Sequence, residues 1–395
     1  MTSGSSNEAA SARVLRPRLD LGFSRLRPEW KALFARRHLR EDAIAAASVA
    51  AVAIPLSLAI AVASEVPPAL GLISAVVGAI VVALSNGTPL AVSGPAAAMA
   101  VLVGTVVEAH GLGGLLFAGF VAGVLQLLTG ALGLGRLVRL VPSTVVHGFT
   151  AGIGAIILLQ QFPRALGFSA PDESHVLDAV FRLGYYVSNA DPRSVAIAGL
   201  VIAIAVAAPR ISKKLPGILL AVIVPTILAG ALGWELATIG ALPSTLPAPS
   251  FPSFESASII PLLGDALVIY LVASLETLLS SAAVDKMVQG QRHDPDQELI
   301  GQGIGNMAVS ALGGIVVTGV IARSALNVQT GAKTRRAALL SGVGVLAALF
   351  FLGGAMSRIP MAALAGVLLV VGGRMISFSA FVHLARVSRT DAAVF

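Results

Sequence analysis

The sequence predicts an all-α polytopic membrane protein built as an inverted repeat, with a short mid-membrane strand before a half-helix in each copy. Three observations predict it. Apolar runs of about 20 residues recur along nearly the whole chain, long enough to cross a hydrocarbon core as helices. Of 395 residues, 56% are hydrophobic and only 12% charged, and the mean hydropathy is +0.88, which excludes an ordinary soluble domain. Finally, landmarks recur at an offset of about 220 residues: Asp42-Ala43-Ile44 against Asp265-Ala266-Leu267, Ser93-Gly94 against Thr318-Gly319, and Val141-Pro142 against Ile359-Pro360.

Residues 1–42 begin polar and become basic (Arg13, Arg16, Arg18, Arg25, Arg27, Lys31, Arg36, Arg37, Arg40), as suits a cytosolic tail. Its end, Pro28 to Leu39, mixes Trp30, Leu33 and Phe34 with cations. That pattern fits either a helix on the membrane surface or a disordered basic tail. Asp42 suits the start of the first span, as a side-chain acceptor at a helix amino end. Seven spans make the first copy, 43–232: Ala43 to Ser64, Pro68 to Leu84, Pro89 to Val107 (extended, then helical), Leu115 to Leu132, Ser143 to Gln161, Val195 to Ala208 and Pro216 to Leu232. A proline-rich loop, 233–263, leads to the second copy, 264–395. Its spans are Gly264 to Ala283, Leu299 to Ala311, Ile315 to Gly331 (extended, then helical), Ala337 to Leu352 and Met361 to Gly372.

Charge agrees with an inside amino terminus. Arg136 and Arg139, then Arg210, Lys213 and Lys214, then Lys286 and Arg292, then Lys333, Arg335 and Arg336, and Arg374, Arg386 and Arg389 all fall on the inside, while the proline-rich loop carries no Lys or Arg. The exception is the outside connection 162–193, where Arg164, Arg182 and Arg193 are diluted by Asp172, Glu173, Asp178 and Asp191. An odd number of spans before the second copy inverts it, and inverted repeats with broken helices near mid-membrane are a transporter architecture. The second copy reaches a surface segment, Phe378 to Arg389, where the first continues through two more spans. The expectation is a seven-plus-seven arrangement whose second repeat is truncated here.

The costly feature is Arg323, inside the glycine-rich segment Gly313 to Gly331. Non-helical backbone at membrane depth is tolerated only against protein or a wet cavity. A strand leading into a half-helix at Gly94-Pro95 and again at Gly319 therefore implies a purpose. In an inverted repeat the two half-helix amino ends face each other, their free N–H groups and dipoles favour an anion, and the two short extended runs can pair with each other to satisfy their edges. Arg323, one turn into the second half-helix, adds a charge and a fork of donors. The plainer readings are an arginine snorkelling to the inside face, or one neutralising Glu276. Glu276 shares its span with Ser274, Thr277, Ser280 and Ser281 and is either a proton or cation carrier or that structural partner. Glu41 is a weaker coupling candidate, better suited to capping. His147, Gln126 and Gln160 read as interhelical hydrogen bonders. Without cysteine, with six scattered histidines and no nucleophile-base set, the chain offers no catalytic or metal site, no cofactor is expected, and no basic patch suggests nucleic acid.

Several segments resemble the SulP (sulfate permease) family of anion transporters: Ala53-Ile54-Pro55, Val66-Pro67-Pro68-Ala69-Leu70-Gly71-Leu72, Ser93-Gly94-Pro95, Gln297 to Asn306 (QELIGQGIGN) and Ala322-Arg323-Ser324-Ala325-Leu326-Asn327. The resemblance implies fourteen spans, a core (43–132 plus 264–352) moving against a gate (143–232 plus 361–395), and usually a cytosolic STAS domain after the spans, which this chain does not include. It also implies a substrate site at Pro55, Leu56, Ser57, Ile60, Ala96, Ile321, Ala322, Arg323 and Ser324, with the break residues Gly94, Pro95, Ala97 and Gly319. Leu56 stands where glutamine is frequent in the family, and Ile60 and Ala96 where animal members carry aromatics. That implies a less polar, roomier pocket for sulfate, bicarbonate or a small carboxylate. The expectation is secondary active transport of such an anion in the inner (plasma) membrane, by proton-coupled symport or exchange, with sodium as another coupling ion and a homodimer as the candidate assembly of the full-length protein. A nucleobase permease of the same fold and an anion channel are the alternatives.

Overall fold

A computed structural model describes residues 21–136, 143–168, 180–212, 216–243, 259–288 and 292–376, with the side chains of 23–25, 32 and 143–147 outside the description. Each predicted span coincides with a helix. A tail helix, α1 (Phe23–Leu33), precedes α2 (Leu39–Ala63) and α3 (Pro68–Ser85). The two-residue strand β1 (Ser93–Gly94) then leads into α4 (Ala97–Ala131), followed by α5 (Ser143–Ala165), the short α6 (Leu183–Ser188), α7 (Pro192–Ile211) and α8 (Gly217–Ala231). The second copy supplies α9 (Ile259–Met287), α10 (Pro295–Ala311), β2 (Thr318–Gly319), α11 (Ile321–Gln329), α12 (Arg336–Met356) and α13 (Met361–Met375).

Local sequence explains most boundaries. Pro68, Pro192 and Pro295 open their helices where a missing N–H costs nothing. Asp191 and Asp294 cap α7 and α10 by accepting from backbone amides two and three residues on. Gly111, at φ 67°, divides the long α4 into the third and fourth predicted spans. Among the described residues, six helices are long and apolar enough to cross a membrane: α2, α3, α4, α7, α9 and α12.

The predicted pairing of the two extended runs forms. β1 and β2 are antiparallel, with Ser93 opposite Gly319 and Gly94 opposite Thr318. Around them α4 packs on α9 and α10, α3 on α10 and α12, and α2 on α3, α11 and α12. Close approach needs small residues: a Cβ added at Gly303 of α10 would lie 2.6 Å from the Gly123 carbonyl oxygen of α4. A second group, α5, α7, α8 and α13, packs on itself and meets the first mainly through α2, which touches α8 and α13.

Three sequence expectations change or fall outside. Asp42 does not cap α2, whose first turn follows His38 in a left-handed conformation. Its fully buried carboxylate instead accepts from the amides of Lys333 (2.8 Å) and Thr334 (3.1 Å) and pairs with Arg336 (3.1 Å), so it ties down the turn that leads into α12 from another helix. The tail is helical from Phe23 to Leu33, which settles helix against disorder over that stretch. The surface segment Phe378 to Arg389 lies outside the described residues.

Candidate functional site

Arg323 is one of the largest fully buried side chains, 1% exposed. Its Nη2 donates to the Ser57 hydroxyl of α2 at 2.8 Å and reaches the Pro95 carbonyl at 3.5 Å. Its Nε has no hydrogen-bond partner. The guanidinium lies against β1: a Cβ at Gly94 would sit 2.2 Å from Nη1, so only glycine leaves it room. Arg323 forms no ion pair among the described residues, so it is a positive charge inside the bundle with donors to spare.

The half-helix ends converge on the same place. α4 starts after Ala96 and α11 after Val320, both extended and neither offering a side-chain cap, so first-turn N–H groups of each remain uncapped by side chains. Gly94, Pro95, Ala96 and Gly319 are buried at this junction, as are Pro55, Leu56, Ser57 and Ile60 on the facing turns of α2. Ala97 is half-buried, and Ile321 and Ala322 at the tip of α11 are exposed. Ser324 turns away from the guanidinium: its hydroxyl accepts from the Val92 amide (3.0 Å) and donates to the Val320 carbonyl (2.8 Å), tying β1 to α11.

The extended segments are satisfied by side chains to which the sequence reading assigns no role. Asn306 of α10 accepts from the Val317 amide at 2.8 Å and donates to Gln126 at 2.9 Å. Gln302 donates to the Val317 carbonyl at 2.6 Å and accepts from Ser93 at 3.1 Å. Ser74 accepts from Ile315 N and Thr277 from Gly319 N. Asn327 donates to the Leu90 carbonyl at 2.9 Å. The usable signal was the polar residues of QGIGN on an otherwise apolar span, since a strand in hydrocarbon must find partners somewhere.

Glu276 lies on α9 beside β2, its Oε2 buried and without a hydrogen-bond partner. No ion pair joins it to Arg323 among the described residues, so the structural-partner reading does not describe this arrangement. Glu41 is exposed in the first turn of α2, 3.8 Å from His38. Sixteen residues of helix place it about 24 Å from Ser57, and it is not brought to the site. Gln126 is the interhelical bonder expected, donating to Ser274 at 3.3 Å. Gln160 is not satisfied in the same way, because its Oε1 is buried without a partner. The side chain of His147 lies outside the described residues.

A buried guanidinium between two uncapped helix amino ends, walled by small and apolar residues, is chemistry for holding a small anion. The model of the sulfate permease family matches residues 39–395. The chain belongs to the sulfate permease family. Among its relatives, the Bacillus subtilis protein YvdB, described as a candidate sulfate transporter, is 35% identical over 90% of this chain and 68% of its own length. The bicarbonate transporter BicA of Picosynechococcus is 31% identical over 87% of this chain and 63% of its own. The chain thus spans about two thirds of the length of such sulfate permease relatives. The transmembrane domain of a cyanobacterial BicA superposes with a TM-score of 0.84 at 30% identity, covering 91% of this chain and 94% of that one. The murine solute carrier 26 member A9 anion transporter, in its inward-facing state, does so at 0.84 and 16% identity over 99% of this chain and 68% of its own, a likeness of fold. The fold is the inverted-repeat fold of sulfate permease transmembrane domains, and the family is one of transporters, not enzymes.

Proposed function

We propose that the chain forms the membrane part of a secondary transporter of small oxyanions, of the sulfate, bicarbonate or small-carboxylate class. The anion binds at the amino ends of α4 and α11 beside Arg323, facing Pro55, Leu56, Ser57 and Ile60. The observation that carries this reading is the buried guanidinium over Gly94, which keeps an unpartnered donor and has no carboxylate partner among the described residues. A charge so placed is costly unless something of opposite sign shares the site.

The helices that hold the site, α2 to α4 and α9 to α12, act as the core, and α5, α7, α8 and α13 as the gate. Alternating access is the movement of one group against the other. Glu276 serves as the coupling group, taking a proton when an anion enters so that the site never carries the anion's charge alone. The basic tail lies in the cytosol, and the full-length protein is a homodimer. Family membership displaces the nucleobase-permease alternative, and no observation favours a channel.

Uptake of labelled sulfate, bicarbonate and dicarboxylates into proteoliposomes, under imposed proton and sodium gradients, tests this directly. Saturable accumulation of one of them driven by a gradient is expected, with the proton dependence removed by Glu276→Gln. Conductance linear in voltage, without saturation, would replace transport with a channel.

A further inference from the structure

The tail helix α1 is fastened to the bundle along one side. Leu26 is buried, Trp30 Nε1 donates to the Leu84 carbonyl at 2.7 Å, and Arg335 pairs with Glu29. Arg336 donates to the carbonyls of Leu33 (3.1 Å) at the end of the helix and of Ala35 (2.6 Å) and Arg37 (2.6 Å) beyond it. The partner carbonyl of Leu84 and the first turn of α2 place this segment at one end of the membrane-crossing bundle, where α2 enters the bilayer.

The other side of the tail is left outward. Arg27, Lys31, Phe34, Arg36, Arg37 and Arg40 are all exposed, Phe34 to 89%. Two of the three carboxylates between residues 21 and 42 are engaged by arginines of the bundle, Glu29 by Arg335 and Asp42 by Arg336, while Glu41 is exposed 3.8 Å from His38. Five cations and one aromatic wedge thus stand together against a single exposed carboxylate, Glu41, and keep a clear positive excess. Leu39 and Ile44, half-exposed on the adjoining turns of α2, mark where the apolar surface begins. Cations beside an exposed aromatic, at the level where a span enters the bilayer, match an anionic headgroup layer with acyl chains beneath.

We propose that the tail from Arg27 to Arg40 is a docking surface for anionic phospholipid, seated on the bilayer by its basic side and on the core by Arg335 and Arg336. Headgroup occupancy holds α1 against the turn that leads into α12, so the charge of the surrounding lipid bears on the helices that carry the anion site.

The chain has no native cysteine, so Phe34→Cys carries a single polarity-sensitive fluorophore in the otherwise intact protein. The labelled protein is compared in nanodiscs of phosphatidylcholine alone and of phosphatidylcholine containing phosphatidylglycerol. Expected is blue-shifted emission in the anionic discs, reversed by high salt. Arg36→Gln and Arg37→Gln weaken the attachment roughly fivefold per charge removed. Both positions are exposed, and an unchanged melting temperature verifies that the variants fold. Equal emission in the two discs, or a shift indifferent to salt and to both substitutions, overturns the proposal and points to a protein partner instead.

Discussion

Arg323 Nη2 on α11 donates to Ser57 Oγ on α2 at 2.8 Å, joining the half-helix of the second copy to the first span of the first. The contact holds the guanidinium over β1, where the missing side chain of Gly94 gives it space. Gly94→Ala puts a methyl 2.2 Å from Nη1 and displaces the guanidinium without asking anything unusual of the backbone. Anion uptake is expected to fall at least tenfold while the protein still melts cooperatively; uptake at the parent rate would mean the guanidinium need not lie there.

Asn306 is the hinge of the buried amide network. Asn306→Ala leaves the Val317 amide and the Gln126 side chain each short of a partner. An orphaned buried group costs about 1–3 kcal/mol, which should lower the melting temperature in detergent by several degrees. Asn306→Asp, which still offers an oxygen to Val317, is expected to recover part of that loss.

Periodicity and apolar length were enough to place the helices, because a membrane span must satisfy its own backbone and so announces itself as a long apolar run. The pairing of Ser93-Gly94 with Thr318-Gly319 was legible from the repeat alone. What Asp42 does was not: a carboxylate at a helix start reads as a local cap, and only the fold shows it serving the amides of Lys333 and Thr334. The work of Lys333, Arg335 and Arg336 was hidden for a similar reason. They read as topology signals, yet Arg335 and Arg336 are buried and hold the tail. Within the site, Arg323 stood out by its charge, whereas Gln302 and Asn306 did not, since a polar residue in a span gives no hint of which distant backbone it reaches.

Arg164 of α5 spans the two helix groups where α2 ends. Its Nη1 donates to the Val62 carbonyl at 3.0 Å and its Nη2 lies 3.6 Å from Glu65, a left-handed residue at φ 57°. If the groups separate here during transport, Arg164→Gln loosens the contact. Ser64, fully buried beside it, reports this: in the Ser64→Cys background, Arg164→Gln should raise labelling by a membrane-impermeant thiol reagent several-fold. An unaltered labelling rate would show that the contact restrains nothing.

Asp191 supplies a pH-dependent element outside the spans. The Ser194 hydroxyl at 2.6 Å, with the amides of Ser194 and Arg193, holds its carboxyl below the ordinary range. A lowered folded value means this stabilisation is present above the unfolded carboxylate range, near pH 4, and disappears as pH falls through the folded one. Asp191→Ala is therefore expected to cost about 1 kcal/mol at neutral pH, the usual worth of a cap, and nothing once the parent carboxyl is protonated. Melting curves of parent and variant across acid pH should converge; a constant gap would assign the loss to packing.

The most direct measurement is uptake of the labelled anion into proteoliposomes by Arg323→Ala, beside the parent protein at matched reconstitution. Loss of uptake to the level of empty vesicles is expected, with Arg323→Lys restoring only a fraction because a point charge replaces the planar fork. Undiminished uptake by Arg323→Ala would contradict the placement of the anion at the paired half-helix ends.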